Sequence, residues 1–150
     1  MITPPRLNTP RLINVYCVAS WFQFFVLLST ITFLSLTPNP GSVFEHVSDK
    51  LLHIVGWSSM SVSLGLPWLV SAFFSRSWRA YSASSSLKKY VFSVSLLFVY
   101  SIAIEFIQQY TGRQLSGWDI VANGVGVMLG SVVILAFRCR IVEKRTSHSE

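Results

Sequence analysis

SDKLLHIVGWSSMSVSLGLPWLVSAFF, residues 48–74, is apolar from about Leu51 to Phe74, yet it opens with Asp49, Lys50 and His53 and carries Pro67 inside. The run is long enough to cross a bilayer, which takes about 20 predominantly apolar residues. Its polar opening is either a solvated helix start or part of a site. A second polar cluster, EFIQQYTGRQLSGWDIVAN, residues 105–123, bears on that choice.

Three further runs resemble the first in length and character. One covers about Leu12 to Leu36 and holds no charge. Another covers about Tyr90 to Tyr110, with Glu105 near its end. The last, about Asp119 to Phe137, is somewhat short. The chain of 150 residues is 51% hydrophobic and only 12% charged, against about 25% charged in soluble domains. That deficit points to lipid as the main solvent. The expected fold is an all-α, integral membrane four-helix bundle, with a tail at 1–11, a membrane domain at 12–137 and a basic tail at 138–150. The first run is too long for the roughly 7–15 apolar residues of a signal peptide and lacks an A-x-A site. It ends in SLTPNPG, residues 35–41, a helix stop followed by a turn.

Lys and Arg set the orientation. They are frequent in the N-terminal tail (Arg6, Arg11), in the second loop (Arg76, Arg79, Lys88, Lys89) and in the C-terminal tail (Arg138, Arg140, Lys144, Arg145). The first loop has only Lys50 and the third only Arg113. Basic residues gather on the cytoplasmic side, so both termini are expected in the cytoplasm and loops one and three outside. The net charge of +6 then serves topology and anionic headgroups, and no nucleic-acid partner is expected.

This topology collects the polar residues. Asp49, Lys50 and His53 open the second span; Glu105, Gln108 and Gln109 close the third; Arg113 follows; Asp119 and Asn123 open the fourth. All are expected at the outer face. Asp49 and His53 are four apart, as are Asp119 and Asn123, so each pair shares a helix face. Ionisable groups inside a membrane domain are costly and usually face a bundle interior or wet cavity. Arg113 is the expected partner of Glu105.

Ordinary roles compete with functional ones. Asp49 suits a helix start, where a carboxylate complements the dipole. SGWD, residues 116–119, has the S-x-x-D form of a capping box. Lys50 can snorkel, and His53 can be an interfacial histidine. Glu105 resists such an account, because the dipole disfavours an anion near a helix C-terminus. Gly126 and Gly130 form a G-x-x-x-G, which permits close helix approach, within the bundle or in a homo-oligomer. Trp57, Trp68 and Trp118 suit packing or interfacial positions. Cys17 and Cys139 show no pairing or metal spacing, and no phosphate-binding glycine loop is present. Asp49, His53, Glu105 and Asp119 are all metal-ligand types, which leaves a metal site open as a lesser alternative; without a metal-motif spacing no metal or other cofactor is expected.

In order along the chain, Ser35-Leu36 with Pro38, Asp49-Lys50 with His53, Glu105 with Gln108, then Arg113, Asp119, Asn123, Gly126 and Gly130 resemble the VanZ-like membrane proteins over about residues 30 to 135. The chain departs in having Gln109-Tyr110-Thr111-Gly112 where that family often has Pro-Gly before the Arg. The family takes its name from a protein linked to resistance to teicoplanin, so the resemblance implies a role in the bacterial envelope, at the cytoplasmic membrane, and no particular reaction. On this basis the expected function is binding or catalysis on an anionic, lipid-linked envelope molecule. Arg113 and Lys50 would hold a phosphate or pyrophosphate with Asp49, Gln108 and Asn123 lining the site, and Glu105, Asp119 or His53 would move protons. The alternative is a noncatalytic envelope factor with a structural polar network. A proton-coupled transporter fits less well, because no carboxylate lies at mid-membrane or in the inner half.

Overall fold

The computed structural model describes residues 9–37, 48–74, 83–112 and 115–146. They are helical almost throughout, in four long helices: α1 (Thr9–Leu36), α2 (Asp49–Phe74), α3 (Ala83–Gln108) and α4 (Gly117–Thr146). A short 3-10 turn, Gln109–Thr111, extends α3. The shortest helices have 26 residues, about 39 Å at 1.5 Å per residue, more than the roughly 30 Å of a hydrocarbon core. Helix α1 begins before residue 12, and α4 runs past residue 137 well into the basic tail.

Three of the helices, α1, α3 and α4, are long and apolar enough to cross a membrane by length and composition. Helix α2, of 26 residues, carries His53, Ser58, Ser59, Ser61 and Ser63 among its hydrophobic residues. Its neighbours explain how it carries them: α2 packs on α4 most extensively, then on α1, and also touches α3. His53, Ser61 and Ser63 are buried among these helices, where polar groups face protein.

Pairwise contacts give the helices alternating directions. Cys17 on α1 lies by Pro67 on α2, and Ile31 lies by Gly56, so these two run antiparallel. Trp57 and Trp68 on α2 meet Tyr100 and Tyr90 on α3, again antiparallel. Helices α2 and α4 run parallel, with His53 beside Asn123, Ser61 beside Ser131 and Gly65 beside Ile134. The ends of α1 and α3 therefore lie with the starts of α2 and α4.

The parallel α2–α4 contact depends on glycine. A Cβ at Gly126 would lie 2.5 Å from the Ile54 carbonyl oxygen, and one at Gly130 would strike the carbonyl oxygen of Ser58. Both are backbone atoms that cannot swing aside. The G-x-x-x-G pair thus serves helix packing inside the chain. Between α1, α2, α3 and α4 sits an apolar core of Phe24, Trp57, Met60, Leu97 and Val127. The outward surface is apolar too: Phe22, Phe33, Phe92, Val99, Met128 and Val132 are all at least 60% exposed. So large an apolar exterior suits hydrocarbon and would be a liability in water.

Candidate functional site

The helix directions bring one polar end of α2, α3 and α4 together. His53 sits one turn into α2, Asn123 two turns into α4, and Glu105 about one turn before the end of α3. All three side chains are buried. His53 Nδ1 lies 2.8 Å from Asn123 Oδ1, and Asn123 Nδ2 donates to Glu105 Oε1 at 2.9 Å. A carboxylate accepts, so the Asn123 amide must turn its NH2 to Glu105 and its oxygen to His53. That oxygen can only accept, so His53 carries its proton on Nδ1 and donates it. The same nitrogen lies 3.4 Å from Glu105 Oε1. One asparagine thereby links three helices and fixes a histidine tautomer.

The other ring nitrogen of His53 faces away from Glu105. Nε2 lies 3.8 Å from Asp49 Oδ2, one turn earlier on α2. Asp119, in the first turn of α4 and buried, completes this side. One ligand-type atom from each of Asp49, His53 and Asp119 falls within 4.8 Å of the others. Two carboxylates at helix starts sit favourably against the helix dipoles. Glu105, near a C-terminus, has no such support and relies on the Asn123 amide and His53.

The expected residues therefore divide. Asp49, His53, Glu105, Asp119 and Asn123 converge. Gln108 is buried beside them in sequence, but its Nε2 donates to the Ser35 carbonyl at 2.9 Å, tying the end of α3 to the end of α1. Lys50 is exposed. Arg113, expected to pair with Glu105, lies outside the described residues, as do Pro38, Glu45 and His46. Gly112 just before Arg113 has φ of +85°, the left-handed geometry that glycine adopts at a helix end.

The sequence did not reveal that Asn123, expected to line the site, would be its connecting atom set, nor that the Ser35 backbone would receive Gln108. A second ordered group lies at the opposite end. Trp68 stacks on Tyr90 at 4.9 Å between centroids, and the Arg138 guanidinium sits 4.3 Å above the Trp68 ring. Among the described residues at the polar end, Lys50 is the one Lys or Arg side chain, set against the carboxylates of Asp49, Glu105 and Asp119.

No family model matches the chain, and no curated protein or solved structure matches it.

Proposed function

We propose that the chain is a VanZ-like multi-pass protein of the bacterial cytoplasmic membrane, with both termini in the cytoplasm and its polar end at the outer leaflet. That end binds or acts on an anionic, lipid-linked envelope molecule. The supporting observation is the convergence of His53, Asn123 and Glu105 from three helices, beside Asp49 and Asp119, at one end of an otherwise apolar structure. Lys50 and Arg113 would meet the phosphate or pyrophosphate. His53, held by Asn123, would move a proton through Nε2, with Glu105 stabilising the imidazolium; Asp119 is a second proton acceptor. An effect on glycopeptide susceptibility would follow if the ligand is a cell-wall precursor.

The test uses the purified full chain with vesicles containing a polyprenyl phosphate or pyrophosphate. Binding to wild type should weaken at least tenfold in both Glu105→Gln and Arg113→Ala. Unchanged binding or turnover in both variants would refute the proposal.

A second reading rests on how the buried groups are satisfied. His53, Asn123 and Gln108 all spend hydrogen bonds inside the chain, as a network locking helix ends would. In that case Glu105→Gln lowers thermal stability in detergent, while folded variants behave normally in an envelope assay.

A further inference from the structure

The geometry points to a divalent-cation site formed by Asp49, His53 and Asp119, for a first-row transition ion such as Zn²⁺ or Mn²⁺. The sequence carries no metal-motif spacing, and the site comes from two helices that meet only in the fold. Its centre is His53. This ring is 92% buried, from an exposure of 8%. Its Nδ1–H is donated to Asn123 Oδ1, which in turn is fixed by Glu105. Nε2 makes no hydrogen bond among the described residues and is aimed at Asp49 Oδ2, 3.8 Å away. With the neutral tautomer, a buried lone pair would face two carboxylates. A cation bound between them would be held by all three groups.

The arrangement has the further features of a metal centre. Metal-bound histidines characteristically donate their other N–H to a carboxylate or carbonyl, which holds the ring in place. Asn123 backed by Glu105 does this here. Zn²⁺ ligands sit about 2.0–2.2 Å from the ion, so donors around a tetrahedral ion lie about 3.3–3.6 Å apart. The three donor atoms already lie within 4.8 Å of one another. Closing around an ion needs a contraction of about 1 Å, and Asp49 is exposed at the first residue of α2. One imidazole and two carboxylates favour Zn²⁺ or Mn²⁺ over thiophilic ions. Three protein ligands also leave coordination positions open. Filling them with the phosphate oxygens of a lipid rests on the proposed function above; the ion site itself does not.

The test uses the full chain, purified in detergent, stripped with chelator and titrated calorimetrically with Zn²⁺ or Mn²⁺ in the absence of added lipid. One equivalent should bind per chain, with affinity at least tenfold lower in Asp49→Asn and in Asp119→Asn, and the ion should raise the wild-type unfolding temperature. Asp49→Asn alters an exposed side chain, so folding is retained and the comparison stays decisive. Equal affinity in wild type and Asp49→Asn, or no ion bound to wild type, overturns the site. Because no lipid is added, failure here leaves the lipid reading standing, and failure of vesicle binding leaves the ion site standing.

Discussion

Asn123 accepts a hydrogen bond from His53 at 2.8 Å while donating to Glu105 at 2.9 Å. A single amide on α4 thus answers one donor from α2 and one acceptor from α3. Removing it leaves both neighbours buried.

Asn123→Ala is therefore expected to destabilise the protein by about 1–3 kcal/mol, the cost of leaving buried polar groups unmatched. The lower part of that range applies if the denatured state in detergent or lipid finds substitute partners. Thermal unfolding in detergent measures it; a change below about 0.5 kcal/mol would show that the network carries little structural weight.

Gly130→Ala and Gly126→Ala should each cost about 1–3 kcal/mol through forced separation of α2 and α4. Gly124→Ala is the comparison, because its added Cβ meets only the Phe98 ring, at 3.2 Å, and rings can shift. Unfolding temperatures should rank Gly124→Ala above the other two. Equal temperatures would contradict the backbone contact at Ser58.

Gly112→Ala meets no neighbouring atoms within 4 Å, so any loss comes from backbone strain alone. Holding alanine at φ of +85° costs about 1–2 kcal/mol. Gly117→Ala, with equally open surroundings and no positive φ, should fall short of that loss. Denaturant titration of the two variants separates them.

Cys139 is an exposed native thiol near the basic end of α4. In a Cys17→Ser background, a membrane-impermeant maleimide should label Cys139 only after cells are permeabilised. Labelling in intact cells would reverse the orientation and place the His53 cluster on the cytoplasmic side.

The four helices were legible in the sequence because they depend on local composition, though α3 starts at Ala83 and α4 runs on to Thr146, beyond the apolar runs. The uncharged run from Leu12, the stop at SLTPNPG and the first-turn Asp49 and Asp119 mark elements by composition alone. The gathering of Asp49, His53, Glu105, Asp119 and Asn123 followed from helix alternation and four-residue spacing. The bonding inside the cluster did not. Whether Glu105 meets Asn123, and whether Gln108 turns to Ser35, depends on helix rotation and on sub-ångström approach, which no spacing encodes. The burial of His53, Ser61 and Ser63 was likewise hidden, because it depends on how α1, α3 and α4 surround α2.

That enclosure has a consequence for biogenesis. Helix α2 makes its largest contact with α4, which leaves the ribosome after α1, α2 and α3. Until α4 arrives, the serines and His53 of α2 must be sheltered by the insertion machinery or by α1 and α3. A chain halted before Gly126 and Gly130 would thus reach the bilayer with α2 lacking the helix it packs on most extensively.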